Sequence, residues 1–375
     1  MSSRTVRYLA GAGSLSLVAG LLVGGSAQAQ DGPTVVASGL NSPRQLAFSP
    51  GGTLYVAESG TNGDEGCQQH PEFGLTCVGL TGSVARVGMD GTVDRVVTGL
   101  PSHGNDAESI GPSDLVLTGN HTFALTIGIA GTPEFRAGYG ASGALLGTVV
   151  TGDLRAHKGA GSVEVVFDAL AYEAAANPDG TDVDSNAVGI ARSGDGWVLA
   201  DAGANAVVST RWGGSTVAVL DPVPTTVPGP FDGFPPVGFP ADAVPTDVVR
   251  GPDGAWYVSQ LVGFPFEEGS STIWRGAPGG ALEPWATGLT NVTSIAFADD
   301  GTLYAVQIAD AGILTGPVGS VVRVVPGGAD HETVAAGLFA PYGIAIRGSS
   351  AYVTTGSLLA GGGQVVRVDL SHPAP

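Results

Sequence analysis

The sequence predicts an all-β fold: a six-bladed β-propeller of four-stranded antiparallel blades. Three observations predict it. One phrase, a short apolar strand, a Gly/Asp turn and a second strand ending in a polar residue, recurs six times, starting near residues 42, 111, 186, 244, 291 and 340. Two further strand-like segments follow each of the first five phrases. The sixth unit lacks its last strand, and the N-terminal segment supplies one. Repetition of β-type units at this length marks a propeller.

Residues 1–29 read as a signal peptide, with Arg4 and Arg7 ahead of a short apolar stretch, Leu9 to Val23, and an Ala27-Gln28-Ala29 cleavage site. Cleavage after Ala29 is expected, giving a secreted, extracytoplasmic protein that is one propeller domain over residues 30–375. The apolar stretch is short against the roughly 20 residues of a bilayer span, so no membrane attachment is expected after cleavage.

The phrases are SPRQLAFSPGGTLYVAES, GPSDLVLTGNHTFALTIG, NAVGIARSGDGWVLADAG, VPTDVVRGPDGAWYVSQL, NVTSIAFADDGTLYAVQI and APYGIAIRGSSAYVTTGS. Their strands are rich in Val, Ile, Leu, Tyr and Trp and bounded by Gly, Pro and Asp, as strands are. In the first unit the third and fourth strands are GSVARV and TVDRVVT, and in the fifth GSVVRVV and HETVAA. The sixth unit ends at QVVRVD. The string TVVASGL (Thr34 to Leu40) resembles TVAAGL (Thr333 to Leu338), which closes the fifth unit. The N-terminal strand therefore joins the last blade and closes the ring, removing an open sheet edge.

Strand alternation sorts the connections. Turns after the first and third strands share one face and are short: SPGG, SGDG, GPDG, ADDG, MDG. The other face receives the long segments 60–81, 128–142, 170–185, 221–243, 262–271 and 309–318. Long insertions on one side of a rigid scaffold are where function usually sits. The first holds Cys67 and Cys77, the two cysteines of the chain, and a disulfide closing that segment is expected in an exported protein.

The formal charge is −19, with a single lysine, Lys158. Removing Arg4 and Arg7 makes the chain two units more acidic. This excludes a basic footprint for nucleic acid and disfavours anionic membranes. Partners are expected to be neutral or cationic small molecules, cations, or proteins on the loop-rich face, with the chain itself a monomer.

Aligning the phrases gives two polar columns. The end of strand two carries Glu58, Thr126, Asp201, Gln260, Gln307 and Thr355; early in strand one stand Gln45, Asp114, Gly189, Asp247, Ser294 and Gly343. Glu58, Asp114, Asp201 and Asp247 are candidate ligands of a hard cation such as Ca²⁺ at the channel mouth. The alternative is that they cap strand ends and bond loop backbone. Gln45, Thr126, Gln260 and Gln307 are candidate ligand-binding residues at the same mouth.

The segment NPDGTDVDSN (Asn177 to Asn186) spaces carboxylates closely without matching an EF-hand, and reads either as a calcium loop or as a solvated turn. Phe231, Phe234, Phe239, Phe264 and Phe266 in two Pro-rich segments form either a ligand patch or a self-packed lid. His70 and His103, with Asp106 or Glu108, would make an acid–base pair if they converge. The chain has no G-x-S-x-G elbow and no complete Gly-rich phosphate fingerprint.

VPTDVVRGPDGAWYVSQLVGFPFEEGSSTIWRG, NPDGTDVDSNAVGIA, ADAGANAVV and GLPSHGN…GPSDLVL together resemble the ScyD/ScyE family of exported six-bladed propellers, over nearly the whole chain after the signal. The resemblance implies the fold and export, and transfers no catalytic motif. A wider similarity is to NHL-type and calcium-dependent lactonase-like propellers. Asp201 and Asn205 match the NHL spacing. Pro43-Arg44-Gln45 stands where the lactonase-like group has a metal-binding Glu. Two functions follow as expectations: a binding or scaffolding propeller, or a metal-dependent hydrolase or oxidative enzyme at the channel mouth acting on a small aromatic or lactone-type substrate.

Overall fold

The computed structural model describes residues 32–155, 162–229 and 237–371. Six sheets of at least four antiparallel strands dominate it. Sheet 1 begins with Pro43–Phe48 and Leu54–Glu58, sheet 2 with Pro112–Leu117, sheet 3 with Ala187–Ser193, sheet 4 with Pro245–Arg250, sheet 5 with Val292–Phe297 and sheet 6 with Ile344–Arg347. These innermost strands touch one another in cyclic order, sheet 6 against sheet 1 included. The ring is a closed β-propeller.

The core is a set of wedges between neighbouring sheets. Sheets 1 and 2 enclose Tyr55, Leu100, Leu125 and Ile127. Sheets 3 and 4 enclose Val198, Val207, Trp256 and Val258. Sheets 6 and 1 enclose Leu40, Leu46, Val56 and Val365. Second strands are covered on both faces, so Leu54–Glu58, Trp256–Gln260 and Leu303–Gln307 are buried throughout, which is why they read as continuous apolar runs rather than alternating ones.

Thr34–Leu40 is the outer strand of sheet 6, paired antiparallel to Gly363–Asp369. Its burial pattern matches that of Glu283–Leu289, the outer strand of sheet 4. Both end in a glycine with positive φ, Gly39 (83°) and Gly288 (77°), followed by a fully buried leucine. The register slips there. Only glycine adopts this conformation cheaply, and the bulge turns the leucine into the wedge. The strings that matched in sequence therefore match in mechanism.

Around the channel, hydroxyls tie blade to blade at five of the six junctions. Ser59 Oγ donates to Pro112 O (3.0 Å), Thr246 Oγ1 to Val292 O (2.8 Å), Thr293 Oγ1 to Tyr342 O (2.7 Å) and Thr354 Oγ1 to Arg44 O (2.7 Å). Thr126 Oγ1 reaches Val188 O at 3.5 Å. Between sheets 3 and 4 the strands simply close up. A Cβ on Gly189 would lie 2.8 Å from the Asp247 Cα, so glycine is the residue that fits.

Three long segments differ from plain loops. The third strand of sheet 1 runs on as Gly74–Val87 and pairs with Gly66–His70, forming a hairpin over the loop-rich face. This part of segment 60–81 is thus β-structure, because the extended strand supplies backbone partners. Cys67 and Cys77 are directly opposite in this hairpin and bonded, with Cα atoms 4.0 Å apart. The other two are short helices, Pro133–Gly138 and Ala169–Ala176. Thr132 and Asp168 cap them by accepting the Phe135 and Ala171 amides. Residues 1–29, expected to be a signal peptide, and Phe231 and Phe234 lie outside the described residues.

Candidate functional site

The four carboxylates at the phrase columns do not form one ring of cation ligands. Glu58, fully buried, turns sideways within sheet 1. Arg95 donates to both its oxygens at 2.8 Å, the Asn41 amide donates at 2.7 Å, and Ser83 Oγ donates as well. Asp201 belongs to a separate cluster described below. Alignment of columns fixes how far along a strand a residue sits, and the neighbouring strands decide where its side chain turns.

Asp114 and Asp247 do face one another across the channel. Each accepts the amide of the next blade: Ile190 N to Asp114 Oδ2 (2.8 Å) and Ile295 N to Asp247 Oδ2 (2.9 Å). Gln45 Nε2 and Ser294 Oγ, both at 3.1 Å, complete Asp247. Burial, and then the charge of Asp247, raise Asp114 well above the usual carboxylate range. Burial holds Asp247 at about 6 against the amides and hydroxyl that favour its anion. A cavity of about 320 Å³ opens beside them, lined also by Arg250, Phe297 and Ile344. The pair is built into the inner-strand stitching, so its first role is to hold blades in register. A larger groove of about 600 Å³ lies between sheets 2 and 3, away from the loop-rich face. Exposed ion pairs with Arg155 and Arg211 engage its Asp153 and Asp195, and among the described residues it carries no comparable buried chemistry.

The remaining column residues are used internally. Gln307 Oε1 accepts the Thr290 amide (2.7 Å) and its Nε2 donates to Asp310 (2.8 Å). Gln260 Oε1 accepts from Trp274 Nε1 (2.7 Å), leaving its buried Nε2 without a partner. Thr126 Oγ1 accepts the Asp114 amide (3.0 Å).

His70 and His103 do come near each other, both against the Phe135 ring, at 4.9 and 5.9 Å between centroids. They are not an acid–base pair. His70 accepts the Glu72 and Phe73 amides at Nδ1 and donates from Nε2 to Ala130 O (2.7 Å), which fixes a neutral tautomer. Burial lowers its pKa and pushes His103 down to about 4. Glu108 is occupied by Arg44 at 3.1 Å.

The unbalanced chemistry lies elsewhere on the loop-rich face, where Glu72, Glu173, Asp179, Asp184, Asp201 and Asp242 act on one another. Burial, then Asp201, Asp179 and Asp184, push Glu173 to about 7. Burial, then Glu72, Asp201 and Asp242, push Asp184 to about 7. Burial raises Asp201, while burial and Asp179 raise Asp242. Burial and Asp242 raise Glu72. Among the described residues none of these six joins an ion pair. Asp201 is saturated by Ser185 Oγ (2.7 Å) and the Asn186 and Ala204 amides (2.6 and 3.3 Å). Asp179 accepts from Asn205 Nδ2 (3.0 Å) and from Thr181. Asp242 adjoins an aromatic group: its carbonyl accepts the Gly263 amide (2.8 Å), and Phe239, Phe264 and Phe266 follow edge to face at 5.8 and 6.5 Å.

Sequence reasoning flagged the Asn177–Asn186 segment and Asp201 but missed Glu72, Glu173 and Asp242. Glu173 sits on a helix of eight residues, too short to show a period. The available signal was a chain of acidic residues confined to the long segments of one face.

No family model matches this chain, and no curated protein does. Solved structures do. The PQQ-bound form of the aldose sugar dehydrogenase from Streptomyces coelicolor matches at 15% identity with a TM-score of 0.51, covering 89% of this chain and 96% of that one. A glucose dehydrogenase matches at 14% identity and TM-score 0.48, covering 90% and 99%. A luciferin-regenerating enzyme matches at 9% and 0.47, covering 91% and 97%. PQQ is an anionic quinone, and the residues here do not fit it. The face is acidic, and Arg44 at the channel mouth is already bound to Ser59, Glu108 and Ser109 O and stacked on Tyr342 at 4.6 Å. At these identities the likeness establishes the propeller fold alone.

Proposed function

We propose that the chain is an exported binding propeller that captures a small aromatic or cationic molecule, or a protein segment of that chemistry, on its loop-rich face. One observation carries the reading: Asp242, whose carboxylate joins no ion pair among the described residues, is bonded through its backbone to Gly263, the residue next to the Phe239–Phe264–Phe266 group. An ammonium group is attracted both to a carboxylate and to aromatic faces, and the rings take the apolar part of the same molecule. The remaining acidity of the face draws cations towards it.

The alternative is a metal-dependent hydrolase or oxidative enzyme at the channel mouth, for which the facing Asp114 and Asp247 speak. Both carboxylates are tied to backbone amides, which favours the binding reading. Thermal melts with tyramine and tryptamine, and with phenol as the neutral probe, test it. A rise in melting temperature is expected with the amines, and Asp242→Asn and Phe264→Ala should each abolish it. Equal shifts in wild type and both variants, or none with any probe, would sink the reading.

A further inference from the structure

We propose that Glu173, Asp184 and the side-chain oxygen of Asn177 form a binding site for a calcium-type divalent cation beneath the loop-rich face. The inference goes beyond the ligand reading above and does not depend on it.

Glu173 is the decisive residue. It is 1% exposed, and among the described residues the one donor directed at its carboxylate, the Asp184 backbone amide, does not reach hydrogen-bond geometry at either oxygen. It faces Asp184, Asp179 and Asp201, whose charges act on it. Oδ1 of Asp184 and Oδ1 of Asn177 are also buried and without a partner. Buried carboxylate oxygens normally find donors, because an unpaired buried charge costs several kcal/mol. Here donors have been spent on the neighbours: Asp201 takes Ser185 and two amides, and Asp179 takes Asn205 and Thr181. Those two residues shape the site, while Glu173, Asp184 and Asn177 keep free oxygens.

The backbone is arranged around that set. Helix Ala169–Ala176 buries Glu173 and ends at Asn177 in the left-handed region, φ 38°. This turns the chain, so that the loop carrying Asn177 and Asp184 follows directly on the helix that carries Glu173. Asn177 Nδ2 donates to Thr181 O (2.8 Å), which fixes the amide and assigns its oxygen to the free side. Asp179 pins the loop to Asn205 at the edge of sheet 3. Gly203 leaves room for the Asp184 carboxylate: a Cβ there would lie 3.0 Å from the Asp184 Cγ.

Oxygen donors alone, from carboxylates and a carboxamide, suit a hard cation rather than zinc, which takes nitrogen and sulfur readily. A flexible loop suits calcium better than magnesium, which demands a tight octahedron. Among the described residues no three carboxylates, histidines or cysteines stand around one point at metal-ligand spacing. Binding therefore draws the Asn177–Asp184 loop towards Glu173, with water completing the shell.

The test is calorimetric titration of the chelator-treated, full mature chain with CaCl₂ and with MgCl₂, alongside thermal melts. One site for Ca²⁺ is expected, with Mg²⁺ at least tenfold weaker. Glu173→Gln and Asp184→Asn, both near-isosteric, should each weaken Ca²⁺ binding at least tenfold and remove its effect on the melting temperature. Asp300→Asn, at a surface turn, should change neither. Absence of Ca²⁺ binding at 1 mM, on the order of the weakest extracellular sites, would overturn the proposal, as would unchanged binding in both variants. Equal affinity for Mg²⁺ would overturn the assignment to a calcium-type ion. A chain that binds calcium but ignores the aromatic amines would sink only the ligand reading.

Discussion

Arg95 holds the place where the two chain ends meet, and removing it should open that place. Its guanidinium donates to both oxygens of Glu58 and, from Nη2, to Gly39 O (2.9 Å) in the N-terminal strand. The Asn41 amide, just past that strand, donates to the same carboxylate. Arg95→Met keeps most of the apolar stem and leaves Glu58, 0% exposed, with only the Asn41 and Ser83 donors. Removing one member of a buried ion pair costs about 3–5 kcal/mol. Arg95 is itself 33% exposed, so water screens part of the loss and the lower end, about 3 kcal/mol, applies. At about 2 °C per kcal/mol for a chain of this size, the melting temperature should fall by about 6 °C. Differential scanning calorimetry at pH 7.5 measures it. The double variant Glu58→Gln with Arg95→Met should lose less than Arg95→Met alone, because no buried charge is stranded. If Arg95→Met melts within about 2 °C of wild type, the clasp does not hold the ring, and the reasoning fails.

Asp114→Asn should stabilise the protein at pH 8. Asp114 and Asp247 both have folded pKa values above their unfolded ones, Asp247 at about 6, so the ionised pair opposes folding above pH 6 and stops doing so as protons bind. The gain should be present at pH 8 and shrink towards pH 4.5 as the carboxyls of the folded chain take up protons; melts at the two pH values check it. His103 acts in the opposite sense. Its folded pKa, about 4, lies below the unfolded value, so its contribution is full above about pH 6.5 and fades as pH falls towards 4; His103→Phe should flatten that acid limb. Thr354→Val removes the hydroxyl that donates to Arg44 O and accepts the Gly343 amide. Orphaning two buried backbone groups should cost about 1–3 kcal/mol, read as a lower urea midpoint.

The ring closure was legible because Thr34–Leu40 carries the same glycine–leucine bulge as the outer strands Glu283–Leu289 and Glu332–Phe339. A bulge is a local device, and local devices show in sequence. The disulfide was legible for the same reason, its cysteines ten positions apart in one hairpin. The columns were legible as positions and not as partners. Glu58 and Asp201 end equivalent strands, yet one meets Arg95 from its own sheet and the other meets Ser185 from the incoming loop. Such choices depend on contacts between residues distant in sequence, which a repeat alignment cannot carry. Glu173 was hidden because a two-turn helix inserted between blades belongs to no repeat.

The pairing of Thr34–Leu40 with the last strand sets an order of events during synthesis. Ser38 and Gln364 sit side by side although they are 326 positions apart. The first strand to emerge must therefore wait, unpartnered, until almost the whole chain exists. Every intermediate before that moment exposes an open edge on its final blade, and such edges invite association between chains. Long-range closure is also slow. A propeller fastened this way gains most from being delivered unfolded and allowed to close once, in a compartment where its hairpin disulfide can form. A truncated or stalled chain would have no way to shut the ring at all.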